Sequence, residues 1–246
     1  MENLANTHFG TQALKLIQKH LTEKIPFMRS KPHYIPALKY HWLTKFYDPA
    51  LSLTMPETKF KLALVKQASI LPNEKLLDFG CGSLTLSLMA KAAQPLAIIY
   101  AVDIDKNILG IAEKKLKRAG EAIFLQQYDG KVLPYSSGQF DKTISSLVFH
   151  HLDFSQKKNA LKEIFRVLKP GGELHVADWG KAKNQVMRLA FYTVQLLDGF
   201  ETTEDNVNGL LPGYFKEAGF REIIETKTIQ TIFGTLSLYK AIKPLT

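Results

Sequence analysis

From residue 75 onward, short apolar runs alternate with stretches of helical periodicity, and that alternation leaves few folds open to the chain. The apolar runs lie at 75–79, 96–102, 122–127, 140–147 and 173–177; the second carries the β-branched residues Ile98, Ile99 and Val102. Between them, 85–93 and 106–119 read as helices, the latter with the stripe Ile108, Ala112, Leu116 and Ala119 and a closing Gly120. A third helix is predicted over 155–168, with Ala160, Leu161, Ile164, Phe165 and Leu168 inward, stopped by Pro170-Gly171-Gly172. Strands that are apolar throughout, rather than on alternate residues, are buried on both faces. The pattern therefore predicts an α/β fold, a doubly wound and mostly parallel sheet covered by helices on both sides. Further helical segments follow residue 181, ending in 210–218 before Gly219. Two β-rich runs, 222–228 and 231–241, are close enough to pair antiparallel and bring the sheet to seven strands.

Residues 1–72 lack this alternation. Leu14, Ile17, Leu21 and Ile25 form a helical stripe, Pro26, Pro32 and Pro36 interrupt it, and Phe60, Ala63, Leu64 and Ala68 mark a second helix before Pro72. The reading is a helical N-terminal cap at 1–72 and a ligand-binding α/β domain at 73–246, with a helical insertion at about 181–214. No apolar run approaches the roughly 20 residues that span a bilayer, and no secretory leader is expected. A single cysteine, Cys81, rules out an intrachain disulfide or a cysteine metal cage and fits a cytoplasmic location. The formal charge is +9, but it is scattered, as in Lys114, Lys115, Lys117 and Arg118 or Lys157, Lys158 and Lys162. It reads as a solvated surface, leaves peripheral contact with an anionic membrane open, and gives no reason to expect a nucleic-acid partner.

The chemistry concentrates in Leu76-Leu77-Asp78-Phe79-Gly80-Cys81-Gly82-Ser83-Leu84-Thr85. A strand ends, two glycines permit a tight turn and close ligand approach, and a helix begins, so that backbone N–H groups face a ligand. Asp103 ends the next strand about 20 residues later, where a carboxylate accepts hydrogen bonds from ribose hydroxyls. Asp78 indicates which nucleoside is bound. A carboxylate beside the glycine loop would repel a pyrophosphate and suits a cationic amino-acid moiety, and the last glycine of the dinucleotide fingerprint is replaced by Thr85. Both points argue against a nicotinamide dinucleotide.

The chain here resembles the class I S-adenosylmethionine-dependent methyltransferases. The matching pieces run in the family's order. They are Leu77-Asp78-Phe79-Gly80-Cys81-Gly82, Ala101-Val102-Asp103-Ile104, Gln127-Tyr128-Asp129-Gly130, Phe140-Asp141-Lys142-Thr143-Ile144-Ser145-Ser146, Val148-Phe149-His150-His151-Leu152 and Glu163-Ile164-Phe165-Arg166-Val167-Leu168-Lys169-Pro170-Gly171-Gly172. The resemblance implies a Rossmann-like methyltransferase fold, S-adenosyl-L-methionine as cofactor and a methyl-transfer activity. It implies that Asp78, Gly80, Cys81 and Gly82 hold the methionine portion, that Asp103 takes the ribose and that Ile104 packs on the adenine. Asp129, with Gly130, would accept the adenine amino proton, and Ser146 would sit where cofactor and acceptor meet. The family often has glycine where this chain has Leu84, so a side chain there is expected to narrow the pocket.

Within the family the nearest likeness is to the ubiquinone/menaquinone-type small-molecule methyltransferases, which place a Tyr-Asp pair before the cofactor domain as Tyr47-Asp48 stands here. His150, His151 and Tyr47 are the candidate bases, and adjacent histidines at such a turn are expected to point apart. No metal site is expected. The acceptor is read as a small, quinone-like or lipid-like molecule. Its pocket is expected from the aromatic-rich N-terminal part and from Met187, Leu189, Phe191, Tyr192, Val194, Leu196, Leu197 and Phe200. An RNA or protein methyltransferase rests on net charge alone. A non-catalytic cofactor-binding module sits poorly with three retained acids, Asp78, Asp103 and Asp129. Ser145-Ser146-Leu147 stands where amino-methylating DNA enzymes carry a Pro-Pro element.

Overall fold

The structure is a computed structural model, and it describes residues 57–183 and 185–245. The elements, in chain order, are α1 (Glu57–Ala68), β1 (Lys75–Phe79), α2 (Thr85–Ala93), β2 (Ile98–Asp103), α3 (Lys106–Ala119) and β3 (Ile123–Gln127). They continue with β4 (Phe140–Ser146), a 3₁₀ turn (Phe149–His151), α4 (Phe154–Val167) and β5 (Leu168–Trp179). Three helices follow, α5 (Gln185–Asp198), α6 (Phe200–Val207) and α7 (Leu211–Glu217), and then β6 (Arg221–Thr231) and β7 (Gly234–Ile242).

The seven strands form one sheet in the order β3-β2-β1-β4-β5-β7-β6. β1 pairs in parallel with both β2 and β4, and β7 runs antiparallel between β5 and β6. The chain thus winds outward from β1 to β3 and then crosses back to lay β4 on the other side of β1. That reversal opens a crevice beyond the carboxyl ends of β1 and β4, the place where open α/β sheets bind ligands. The seven-stranded, mostly parallel sheet covered by helices is the fold class expected from the sequence.

Local chemistry sets the helix ends. Asp105 caps α3, accepting from Asn107 N at 2.8 Å, and Gly120 closes it in the left-handed region. Asp153 and Gln156 form a reciprocal capping box at the start of α4. Two apolar cores lie against the sheet, one holding Phe60, Leu64, Leu76, Ile99, Ile144 and Phe191, the other Leu77, Phe79, Phe149, Ile164, Phe215 and Tyr239.

Several boundaries differ from the sequence reading. The expected cap ends at 72, yet α1 contributes Phe60, Leu64, Val65 and Ala68 to the core of the sheet domain. β5 starts at Leu168 rather than at 173: Phe140 pairs with Leu168 and Lys142 with Glu173, and the Pro-Gly-Gly segment is accommodated as an irregularity within the strand. The strongest correction concerns α5. Phe191 and Val194 are buried, but Leu189, Tyr192 and Leu196 face solvent, as does Phe200 on α6. These four, counted in the expected acceptor pocket, are exposed. Tyr34, Tyr40, Trp42, Phe46 and Tyr47, the N-terminal half of the expected acceptor pocket, lie outside the described residues.

Candidate active site

β1 delivers the glycine loop to the crevice. Gly80 N and Cys81 N both donate to Val102 O at 2.9 Å, which bends the chain across the end of β2. Gly80 sits at φ +71°, and a Cβ there would lie 2.4 Å from Val148 Cγ2, so only glycine fits against the turn that follows β4. Gly82 at φ +52° has open space where its Cβ would be. One glycine is needed for packing, the other leaves room for a ligand.

Leu84 takes the left-handed conformation, φ +71° and ψ +14°, as the N-cap residue of α2. That backbone state costs an L-residue roughly 1–2 kcal/mol. Its side chain is fully buried in the apolar core, so it anchors the loop from below. The expectation that Leu84 narrows the pocket is therefore corrected, since the side chain points into the core.

Asp78 lies on β1 between Ala101 of β2 and Ile144 of β4, only 1 % exposed. Its Oδ2 accepts from Ser87 Oγ at 2.5 Å, while Oδ1 is buried without a hydrogen-bond partner. Burial pushes its pKa up to about 6, against the pull of Ser87 and of the Lys61 ammonium on α1. A buried, half-satisfied carboxylate beside a glycine loop suits a cationic ligand group, which would supply the missing partner and restore the charge.

Asp103 ends β2. Its Oδ2 accepts from Gly82 N at 2.9 Å and its Oδ1 from Asp105 N at 3.0 Å, so the carboxylate ties the glycine loop to the start of α3. Each oxygen retains a lone pair for a ligand hydroxyl. Burial raises its pKa, and the N–H groups of Asp105 and Gly82 oppose that rise. Cys81 is buried, and burial together with Asp78 and Asp103 drives its thiol well up, which leaves it no nucleophilic role.

Across the crevice, Asp129 Oδ1 accepts from Lys131 N at 2.8 Å and Val132 N at 3.0 Å, which shapes its turn and holds its pKa down. Gly130 stands against Ile104: a Cβ on it would be 3.8 Å from Ile104 Cγ2. The Asp103-Ile104 and Asp129-Gly130 segments thus meet at neighbouring strand ends, with Tyr128 N donating to Asp103 O at 3.1 Å. Ser146 ends β4 with its Oγ buried and unpartnered.

The turn after β4 is organised by a residue that the sequence reading missed. Asp178, fully buried near the end of β5, accepts on Oδ2 from Val148 N at 3.1 Å and Phe149 N at 2.8 Å. Its Oδ1 accepts from Trp179 N at 2.7 Å and from Asn206 Nδ2 of α6 at 3.2 Å, and lies 2.8 Å from His150 Nδ1. Burial pushes the carboxyl up, but His150 and the surrounding N–H groups outweigh it and hold the group ionised. His150 and His151 do not point apart as expected. Their ring centroids are 3.9 Å apart, and the His151 pKa is pushed down to about 3 by burial and by the His150 ring. Asp178 contacts the His150 ring directly, whereas for His151 its favourable pull is outweighed by burial and by His150, so His150 is the better placed of the two to accept a proton. Tyr47, the third candidate, lies outside the described residues. Among the described residues, no group of three His, Cys, Asp or Glu side chains is placed to hold a metal ion.

The chain is similar to known proteins in sequence and in fold. A family model described as a methyltransferase domain matches residues 77–176. The ubiquinone/menaquinone biosynthesis C-methyltransferase UbiE of Wigglesworthia glossinidia brevipalpis is 36% identical over 126 residues, 50% of this chain and 49% of that protein. The demethylmenaquinone methyltransferase of Lactobacillus johnsonii is 27% identical over 188 residues, 72% of this chain and 71% of that protein. The matched part thus spans about half the length of the first relative. A crystal structure of a SAM-dependent methyltransferase from Methanosarcina mazei superposes with a TM-score of 0.57 at 18% identity, covering 72% of this chain and 95% of that one.

Proposed function

We propose that this chain, which carries a domain of the class I S-adenosylmethionine-dependent methyltransferases, moves a methyl group from that cofactor to a carbon of a small, quinone-like acceptor. The observation that carries the reading is Asp78, a buried carboxylate with one unpartnered oxygen at the sheet's crossover point, beside a glycine whose Cβ space is empty. That pair suits a compact cationic ligand end and is hostile to a pyrophosphate. The relatives' names support the acceptor class: one is named as a ubiquinone/menaquinone biosynthesis C-methyltransferase and the other as a demethylmenaquinone methyltransferase.

The residues present fit the cofactor. Asp78 would bind its ammonium, and the Gly80–Gly82 loop would let its methionine part approach the backbone. Asp103 would accept from the ribose hydroxyls, Ile104 and Gly130 would flank the adenine, and Asp129 would accept the adenine amino proton. Bound S-adenosylmethionine supplies the electrophilic methyl group, so the protein's task is alignment and the exclusion of water. Alignment alone contributes roughly 7–11 kcal/mol in favourable intramolecular systems. Ser146 stands at the carboxyl end of β4, where cofactor and acceptor would meet. His150, held by Asp178, would take the acceptor's proton. The single buried Cys81 supports a cytoplasmic setting.

Two measurements test this reading. Calorimetry should give micromolar binding of S-adenosylmethionine or its demethylated product, on the order of −8 kcal/mol, and none for a nicotinamide dinucleotide. Labelled cofactor should transfer its methyl to a demethylated quinol. Absence of cofactor binding, or transfer only to RNA or protein, refutes the proposal.

A further inference from the structure

α5 is apolar on both faces. Phe191 and Val194 turn inward, yet among its described side chains the exposed positions are Gln185, Leu189, Tyr192, Thr193 and Leu196, none of them charged. Leu189 is 69 % and Leu196 67 % exposed. A surface helix ordinarily gives its outer face to charged residues, and a contiguous exposed apolar patch marks an interaction site.

The patch continues onto neighbouring elements. Phe200 of α6 is exposed and lies beside Tyr192, their ring centroids 6.2 Å apart. The β6–β7 hairpin packs against α5, with Thr235 Oγ1 at 3.3 Å from Met187 Sδ. Its tip, Gln230-Thr231-Ile232-Phe233, is uncharged and holds Ile232 out at 64 % exposure. Cations stand before and along the helix. Lys181 is exposed, Lys183 keeps 44 % of its side chain exposed while pairing with Glu225, and Arg188 stacks over Tyr192 at 4.3 Å. Among the described acids, exposed Glu204 lies beyond α5 on α6, and exposed Glu225 is the one paired with Lys183.

β7 pairs antiparallel with β5, Leu236 opposite Trp179, so the hairpin tip sits at the carboxyl edge of β5. α5 begins at that same edge. The apolar patch and the candidate active site therefore share one rim of the sheet. Among the described residues no helix is long and apolar enough to cross a membrane.

We propose that the outer face of α5 and the β6–β7 tip form a docking surface for an anionic lipid bilayer, which sets the mouth of the site against the membrane. The inference rests on the reading of a lipid-like acceptor and extends it to where that acceptor is met. Leu189, Leu196 and Ile232 enter the acyl boundary, Tyr192 and Arg188 sit at headgroup level, and Lys181 and Lys183 face anionic headgroups.

The test is co-sedimentation of the full chain with vesicles of phosphatidylglycerol and phosphatidylcholine, and with phosphatidylcholine alone. The wild type should sediment with the mixed vesicles and lose binding as salt rises. The triple variant Leu189→Ser, Leu196→Ser, Ile232→Ser should lower the partition coefficient by about tenfold or more, on the scale set by removing buried methylenes from an interface. Its melting temperature and its calorimetric affinity for S-adenosylmethionine should be unchanged. A wild type that stays in the supernatant overturns the proposal, as does a variant that sediments equally well. Equal binding to phosphatidylcholine alone overturns the anionic assignment. A dimer by analytical ultracentrifugation that the variant dissociates, with no lipid binding, assigns the face to a second copy and overturns it too. Failure of cofactor binding in calorimetry would refute the methyltransferase reading alone, because sedimentation is scored without cofactor.

Discussion

His150 Nδ1 lies 2.8 Å from Asp178 Oδ1, joining the turn after β4 to the end of β5. The same carboxylate receives the N–H groups of Val148, Phe149 and Trp179 and the amide of Asn206. Val148 in turn packs on Gly80, so the base candidate and the glycine loop are braced by one buried charge.

Asp178→Asn keeps the shape but can accept on one side only, and its amide would face donors on the other. Breaking a buried, fully partnered charge costs about 3–5 kcal/mol, to be read as a lower urea midpoint. The Asp178 pKa is held below its ordinary value in the fold. Its contribution is therefore present above the usual carboxylate range and lost as pH falls through the folded pKa. The stability gap between variant and wild type should shrink in acid.

The two histidines should separate in a pH–rate profile. His150→Gln removes the imidazole that Asp178 can stabilise when protonated, and should lower kcat about 10²–10⁴-fold if a base is required. It should also abolish the acid limb of the profile. His151, whose pKa is pushed down to about 3, is neutral at working pH, and His151→Gln should leave that limb in place. An unchanged limb in the His150 variant would remove it as the base.

The glycine loop offers a contrast within three residues. Gly80→Ala places a methyl 2.4 Å from Val148 Cγ2 on a left-handed backbone, and should destabilise the fold by about 1–3 kcal/mol. Gly82→Ala meets no protein atom and pays only for its left-handed backbone, about 1 kcal/mol. Its methyl would intrude on the ligand instead. Calorimetry of Gly82→Ala should show cofactor affinity falling by more than the loss of stability accounts for.

What could be read from sequence was what neighbouring residues decide. The two glycines of the Leu76–Thr85 segment and the Gly120 stop stand out because they interrupt the apolar and helical patterns beside them, so their signal is local even where their contacts are not. Asp178 escaped notice because all the partners named for it except Trp179 lie 28 to 30 residues away in sequence. One signal was present: an acid within the apolar run His175-Val176-Ala177-Asp178-Trp179 is too costly to bury unless it is partnered. α5 misled for the opposite reason. Its composition is that of a buried helix, and periodicity cannot tell a second helix face from one exposed at a surface.

Leu84→Gly weighs two effects of opposite sign. Glycine removes a left-handed strain of roughly 1–2 kcal/mol. It also deletes a fully buried leucine, which costs about 2–5 kcal/mol when the neighbours cannot collapse into the space. Burial wins, and the variant should melt at a lower temperature.

Asp78 sets stability against binding. In the free protein its carboxyl is raised from 3.8 to about 6, so the native state holds a proton through a range where the unfolded chain has released it. This contribution is complete below about pH 4 and lost as pH rises through about 6, and above that range the buried charge costs about 3 kcal/mol. Asp78→Asn should therefore melt higher than the wild type above pH 6 in the absence of cofactor, and the two should converge near pH 4. Binding runs the other way. A cationic ligand group needs the ionised carboxylate, so wild-type affinity for S-adenosylmethionine should fall by up to tenfold for each step of one in pH below about 6, with proton release on binding in that range. Asp78→Asn should bind weakly at every pH and show no such slope. Calorimetry in two buffers of different ionisation enthalpy measures the released proton. A wild type that binds equally at pH 5 and pH 8 with no proton release would mean that Asp78 does not meet the ligand's charge, and that the unpartnered oxygen serves the fold alone.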